Sequence, residues 1–176
     1  TFASPILQNP LVHGFDLVMH SGTKYLGGHS DLCCGTVNGA AQLVSKVRGF
    51  LVNYGGCLNA QDCYLLERSL KTLELRVARQ SRNAGIVAQQ LANNDNIKNV
   101  YYPGLESHPG HAIAARQMSG FGGMLSFELV DGIDPVGYLR RLELVICAVS
   151  LGGVETTICQ PVATSHQKVT REERQR

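Results

Sequence analysis

The segment NPLVHGFDLVMHSGTKYLGGHSD, residues 9–31, gives the clearest indication of both fold and chemistry. Its short apolar run at residues 16–22 is bounded by polar and glycine residues, which predicts a buried strand. Ser21, Thr23 and Lys24 then place two hydroxyls and an amine at the end of that strand. Because α/β folds bind ligands at the carboxyl ends of their strands, the segment predicts a site for a phosphate-bearing ligand. The alternative is an ordinary surface lysine in a polar loop.

Outward from this segment, the pattern predicts two domains joined by a helix. A second short strand is predicted at residues 31–37, after a loop at residues 23–30. From residue 62 to about residue 93, apolar residues recur at intervals of three, four and seven, which predicts one helix long enough to connect two domains. Short apolar runs beyond residue 95 alternate with turns rich in glycine and proline, which predicts an α+β domain.

The predicted elements of that second domain are three strands and two helices. The strands are expected within residues 100–102, 124–127 and 142–149, and the helices within residues 112–118 and 135–142. The helices are expected to pack on the sheet that the strands form.

Composition narrows the classes of partner. The chain has 176 residues and a net charge of +2, with no cluster of basic residues to bind nucleic acid or an anionic membrane. No apolar run approaches the roughly 20 residues of a membrane-spanning helix, and the first residues lack the basic flank of a signal peptide. We therefore expect a cytoplasmic protein that binds neither nucleic acid nor membrane. The six cysteines show no CxxC pair and are expected to be reduced and mostly buried.

Two further features are expected to be structural. His108 and His111 have a spacing seen in metal sites, but the intervening Pro-Gly breaks the helix that would bring both rings together, so we predict no metal. Tyr102 follows Tyr101 in a predicted strand and is expected to pack in the core rather than to act as a base.

The segment at residues 9–31 resembles, almost position by position, the lysine region of the Cys/Met-metabolism family of pyridoxal-phosphate enzymes. That family includes cystathionine γ-synthase, cystathionine β- and γ-lyases, methionine γ-lyase and O-acetylhomoserine sulfhydrylase. The resemblance continues through YGGCLNAQD at 54–62, LKTLELR at 70–76, YPG at 102–104, HPGH at 108–111, GFGGM at 120–124 and SLGGVE at 150–155.

The resemblance implies a fold and a domain organisation. It implies the α/β PLP-dependent transferase fold, also called fold type I or aspartate-aminotransferase-like. Residues 1–61 would form the end of the large cofactor-binding domain, residues 62–94 the long connecting helix, and residues 95–176 most of the small α+β C-terminal domain.

The resemblance also implies roles for individual residues. Lys24 matches the lysine that forms an imine with the aldehyde of pyridoxal 5′-phosphate and later carries protons. Ser21 and Thr23 match hydroxyls that bind the cofactor phosphate. Ser150 matches a residue beside the lysine and the substrate carboxylate, although a turn serine at a strand end is the alternative. Val149, directly before it, matches a position that contacts the distal end of the substrate.

Residues around the lysine are expected to support it. Gly27 and Gly28 should let the backbone turn sharply after Lys24. His20 and His29 flank the same loop and are expected to be hydrogen-bonded structural histidines.

The family includes several reactions, and the resemblance favours a carbon–sulfur lyase acting on cystathionine-type substrates. Several cystathionine γ-synthases and γ-lyases carry Glu where this chain has Val149, whereas Val is familiar from methionine γ-lyases and some β-lyases. A Lys-Asp pair typical of methionine γ-lyases is replaced near residues 52–53. The alternatives are a γ-synthase or O-acylhomoserine sulfhydrylase, a methionine γ-lyase, an aminotransferase on the same fold, or a non-catalytic cofactor-binding protein.

Several family residues have no counterpart in the chain. They are the Asp that pairs with the pyridine nitrogen, the aromatic residue that stacks on the cofactor, and the Arg that binds the substrate carboxylate. We therefore expect an internal fragment covering about the second half of a longer protein, inactive by itself. The full-length enzyme is expected to act on a small amino acid as a homotetramer, a dimer of dimers.

Overall fold

The computed structural model describes residues 1–164 and 166–174. In chain order, the helices are α1 (Ser4–Leu7), α2 (Ala41–Tyr54), α3 (Ala60–Leu70), α4 (Leu73–Ala92), α5 (His111–Gln117), α6 (Pro135–Arg140) and α7 (Arg171–Arg174). The strands are β1 (Leu17–Ser21), β2 (Gly35–Gly39), β3 (Ile97–Tyr101), β4 (Ser126–Leu129), β5 (Ile146–Cys147) and β6 (Thr157–Ile158). Short 3₁₀ turns lie at Pro10–His13 and Pro161–Ala163, and a π-helical turn at Gly22–Leu26 follows β1.

The strands form three two-stranded ladders in the described part of the chain. β1 and β2 pair antiparallel, with Leu17 opposite Gly39 and Ser21 opposite Gly35. β3 and β4 also pair antiparallel, with an irregularity between Ile97 and Asn99. β5 and β6 pair in parallel. None of the described helices is both long and apolar enough to cross a membrane.

Helix α4 connects the two halves of the chain. At 1.5 Å per residue its 20 residues extend for about 30 Å. Its first half packs Leu73 and Val77 against Leu7, Tyr25 and Leu26, so it supports the lysine segment. Its second half contributes Ala84 and Ala88 to a separate apolar cluster around Tyr102. One helix therefore contacts both the lysine segment and the cluster beside the β3–β4 ladder.

The prediction of a single helix over residues 62–94 is wrong, because the structure contains two helices separated at Lys71 and Thr72. Asn59 begins the first of them, since its side chain accepts a hydrogen bond from the Asp62 amide. At the break, the Thr72 amide and hydroxyl both donate to the Ser69 carbonyl. The proposed division into domains at residues 61 and 94 remains a prediction.

Three further expectations differ from the structure. The second strand begins at Gly35 rather than at residue 31. Only residues 146–147 of the predicted strand at 142–149 are extended in a ladder. The cysteines are free, as expected, but none is buried: Cys34 and Cys159 are half-buried and the other four are exposed.

Tyr102 is a packing residue in the structure, 2% exposed and in edge-to-face contact with Phe121. Its hydroxyl lies 3.0 Å from the Gly122 carbonyl oxygen and 3.2 Å from that of Ser81, so it donates to this pair of acceptors. Burial raises the pKa of Tyr102 above its ordinary value. The hydroxyl therefore remains protonated and links α4 to the segment before β4.

We expect Tyr102→Phe to lower the free energy of unfolding by about 1–3 kcal/mol, because it removes a donor from buried carbonyls. Tyr101→Phe is the matched control, since the Tyr101 hydroxyl bonds to Glu128 on an exposed surface and should change stability by less than about 0.5 kcal/mol. Denaturant midpoints measure both changes. Equal shifts for the two variants would contradict the role given to the buried hydroxyl.

Candidate functional site

Lys24 lies in the π-helical turn that follows β1, at a position where the backbone leaves helical geometry. Its φ and ψ are −90° and −127°, between helical neighbours. The turn is closed by hydrogen bonds from the Gly27 amide to the Gly22 carbonyl at 2.8 Å and from the Gly28 amide to the Lys24 carbonyl at 2.7 Å. Gly28 has φ +72°, as expected for a sharp turn, whereas Gly27 has ordinary right-handed geometry.

Ser150 lies against Lys24 although the two residues are 126 positions apart in sequence. The Lys24 Nζ donates to the Ser150 Oγ at 2.7 Å. Ser150 itself has φ +84°, an uncommon conformation for a residue with a side chain. The structure therefore brings together the two residues that sequence reasoning placed at one site, and it does so with a strained loop at Ser150.

Gly152 explains how the Ser150 loop approaches the lysine segment so closely. It has φ +83°, and a Cβ there would lie 2.6 Å from the Tyr25 amide nitrogen and 2.8 Å from the Lys24 carbonyl carbon. Only glycine fits this contact without displacing backbone.

The two hydroxyls predicted beside Lys24 have different partners. Thr23 Oγ1 accepts a hydrogen bond from the Cys34 amide at 3.1 Å and makes only a long contact, 3.4 Å, as a donor to the Cys34 carbonyl. The Ser21 amide donates to the Thr1 hydroxyl at 3.0 Å. Ser21 Oγ itself makes no hydrogen bond within residues 1–164 and 166–174. Both hydroxyl protons are therefore available to an anion beside the turn.

Arg76 holds the lysine turn in place, and sequence reasoning did not identify it. Its Nη1 donates to the Tyr25 carbonyl at 2.8 Å, and its Nη2 donates to the Ser69 carbonyl at 2.9 Å. The guanidinium occupies the space over Gly28, where a Cβ would lie 2.0 Å from Nη1. Burial lowers the pKa of Arg76 from its ordinary value, but a guanidinium stays protonated in proteins. Arg76 is the last residue of the family motif LKTLELR at residues 70–76, and this motif could have identified it as a candidate.

The two histidines near the turn differ. His29 Nδ1 lies 2.7 Å from the Gly27 carbonyl oxygen, which makes it a hydrogen-bonded structural histidine as expected. His20 is buried on β1, and burial is the main cause that lowers its pKa. Its Nδ1 has no hydrogen-bond partner among the described residues, so the expected hydrogen bond is not seen at that atom.

Val149 precedes Ser150 and is 62% exposed. The structure therefore leaves its side chain free at the edge of the Lys24–Ser150 contact.

The geometry agrees with what the chain resembles. All of its residues, 1–176, match the model of the family described as Cys/Met metabolism PLP-dependent enzyme. The chain belongs to this family. Pyridoxal 5′-phosphate is therefore the cofactor that the site residues of this family bind.

Relatives within the family catalyse different reactions. A cystathionine β-lyase of Lactococcus lactis is 46% identical over 176 residues, which is 99% of this chain and 46% of the relative. An L-methionine γ-lyase of Fusobacterium nucleatum is 44% identical over 178 residues, 99% of this chain and 45% of the relative. The chain thus spans about half the length of these relatives of the Cys/Met family.

A solved structure confirms the predicted fold. The cystathionine γ-synthase of Xanthomonas oryzae pv. oryzae, in complex with aminoacrylate and cysteine, has a TM-score of 0.94 and 42% identity to this chain. The alignment covers 99% of this chain and 46% of that one. The chain therefore has part of the PLP-dependent fold of the Cys/Met family.

Proposed function

We propose that the protein containing this chain is a pyridoxal-phosphate-dependent carbon–sulfur lyase for cystathionine-type substrates, with Lys24 as the lysine that binds the cofactor. The observation that carries the proposal is the 2.7 Å contact between Lys24 Nζ and Ser150 Oγ. This contact joins the amine on the turn after β1 to a hydroxyl that lies 126 residues later in the chain.

The donor set fits the cofactor. Lys24 offers an amine for an aldehyde. The Ser21 hydroxyl, which has no partner among the described residues, and the weakly engaged Thr23 hydroxyl offer protons to phosphate oxygens. Gly22 keeps its own amide bonded to the Cys34 carbonyl at 2.8 Å, which fixes the backbone between the two hydroxyls. When bound, the cofactor withdraws electrons from the α-carbon of a substrate amino acid.

The residues of the chain then have separable tasks. Lys24 holds the cofactor and afterwards, as a free amine, moves a proton at its Nζ. Ser150 accepts the hydrogen bond from that amine, which leaves its own hydroxyl proton free to donate to a substrate carboxylate. The hydroxyl therefore aligns the amine and the substrate with each other.

A γ-replacement enzyme or a methionine γ-lyase is the second candidate. The relatives include synthases and γ-lyases at similar identity. Val149 is the residue familiar from methionine γ-lyases and some β-lyases, whereas several cystathionine γ-synthases and γ-lyases carry Glu at this position, so Val149 favours a β-lyase or a methionine γ-lyase over those enzymes.

We also propose that the enzyme acts in the cytoplasm as a homotetramer. The support for an assembly is the exposed apolar side chains of α2, including stacked Phe50 and Tyr54, which need a cover from elsewhere in the protein or from another subunit. Light scattering of the full-length protein tests the tetramer, and cell fractionation tests the location.

Borohydride reduction tests the assignment of Lys24. When the full-length protein with its cofactor is reduced and digested, we expect the phosphopyridoxyl mass on the peptide that contains Lys24. Lys46 and Lys71, both exposed in this chain, are internal controls and should remain unmodified. A tag on either of them, with Lys24 unmodified, would overturn the assignment.

A further inference from the structure

Two side chains of α4, one helical turn apart, reach the two segments that meet at the site. Arg76 bonds to the lysine turn at the Tyr25 carbonyl, 2.8 Å away. Gln80 Nε2 donates to the Gly153 carbonyl at 2.7 Å, in the loop that carries Ser150. Residues four apart lie on one face of a helix. The same helix face therefore contacts both partners of the Lys24–Ser150 pair.

The Ser150 loop needs an external contact to keep its shape. Both Ser150 and Gly152 have left-handed backbone geometry, with φ of +84° and +83°. For Ser150 this geometry is unfavourable and persists only where the surroundings fix it. The hydrogen bond from Gln80 to Gly153 is a side-chain contact from α4 that fixes the loop directly.

The amide oxygen of Gln80 also supports a role in positioning. Its Oε1 is buried and accepts no hydrogen bond among the described residues. A buried acceptor without a partner lowers stability, and an apolar side chain of the same size would avoid that loss. Gln80 thus provides one well-directed contact at the expense of stability, as expected of a side chain that places a functional loop.

We propose that Gln80 is a positioning residue that, through the carbonyl of Gly153, holds the Ser150 hydroxyl against the Lys24 amine. The hydrogen bond of Gln80 goes to Gly153 and not to Lys24, so Gln80 acts on the amine through the loop. The inference rests on the proposed function of Lys24 and adds to it the group that sets the geometry of its hydroxyl partner.

A double-mutant cycle in the full-length holoenzyme tests this inference. We expect Gln80→Met to lower kcat roughly ten- to a hundredfold, because misplacing a catalytic partner by about 1 Å has effects of this size. In a Ser150→Ala background the same change should lower kcat less than about twofold, because Gln80 then has no hydroxyl to position. Equal losses in both backgrounds, or no loss in either, would overturn the proposal.

A second measurement does not depend on turnover. In cofactor-free protein, acylation of Lys24 by an amine reagent is compared with acylation of Lys46 by peptide mass spectrometry. Gln80→Met and Ser150→Ala should raise the relative labelling of Lys24 by the same factor, at least about twofold, since Ser150→Ala removes the acceptor that restrains the amine and Gln80→Met displaces it. Unchanged labelling in Gln80→Met, with increased labelling in Ser150→Ala, would contradict the proposal.

Two controls separate positioning from general destabilisation. Gln90→Met makes the same substitution at an exposed position of α4, and Tyr102→Phe removes the buried hydrogen bonds of the Tyr102 hydroxyl. Both should leave kcat and Lys24 labelling unchanged. If Gln80→Met is recovered poorly, Gln80→Leu supports the same two measurements.

The two proposals fail in different ways. If Lys24 is not the cofactor lysine, the borohydride tag lies elsewhere in every variant. If Lys24 carries the tag and Ser150→Ala lowers kcat but Gln80→Met does not, only the role of Gln80 is wrong.

Discussion

Replacing Lys24 with arginine in the full-length enzyme is expected to lower kcat by at least about 10²–10⁴-fold, the range that a general acid–base group contributes. Arginine keeps the positive charge and similar reach, but a guanidinium does not lose a proton in proteins. It therefore supplies neither a neutral amine for the cofactor aldehyde nor a group that moves protons at the Ser150 side of the site. Steady-state release of 2-keto acid from cystathionine measures the effect.

Lys46→Arg is the matched control, because Lys46 is exposed on α2, away from the turn. It should retain the kcat of the parent enzyme. Circular dichroism and thermal unfolding establish that both variants are folded. A Lys24→Arg variant with the parent's kcat would exclude Lys24 from the reaction, whatever its distance from Ser150.

The lysine segment was predictable because local sequence decides its geometry. Strand β1 lies at Leu17–Ser21, within the predicted residues 16–22, and the polar turn follows directly. The apolar run of β1 and the glycine at residue 28 are local features of the sequence. The strand is only half-buried, however, because Val18 and His20 are buried while Met19 is 75% exposed. The position of Ser150 was available only through the family resemblance, since no local pattern links two residues 126 positions apart.

Tertiary contacts explain why some elements were predicted wrongly. The apolar spacing continues through residues 62–94, and no glycine or proline marks the end of α3. At the break, the Ser69 carbonyl accepts from the Thr72 amide and hydroxyl and also from Arg76 Nη2, the last at 2.9 Å. A helix end that is satisfied by an arginine from the next helix has no local signature.

Two other differences have similar causes. The strand predicted from residue 31 starts four residues later, at Gly35, where β1 ends opposite it and the chain enters the lysine turn. The Cys34 carbonyl accepts from the Gly22 and Thr23 amides of that turn. Helix α2, which ends at Tyr54 and is followed by Gly55 with φ +76°, was not predicted although its apolar residues recur at helical intervals. No described residue covers the exposed apolar face of α2. The structure of this chain therefore does not show what packs against that face.

Val149→Glu is expected to change substrate preference rather than overall activity. The substituted carboxylate would lie next to Ser150, where it can pair with the distal ammonium of cystathionine, whereas methionine has no such cation. A hydrogen bond to a charged group contributes about 1.5–3 kcal/mol. Val149 is 62% exposed, and exposure weakens such pairs. We therefore expect the lower part of that range, a shift of about tenfold in the ratio of kcat/KM values for cystathionine and methionine.

Two control variants separate charge from shape and from distance. Val149→Gln has nearly the same size as the Glu variant without its charge, so its ratio should stay close to that of the parent. Val154→Glu places the same charge on an exposed valine in the same region and should also leave the ratio unchanged. Raising the ionic strength should reduce the shift in Val149→Glu, because screening weakens an exposed ion pair. An unchanged ratio in Val149→Glu, with normal folding and full cofactor content, would show that residue 149 does not face the distal end of the substrate.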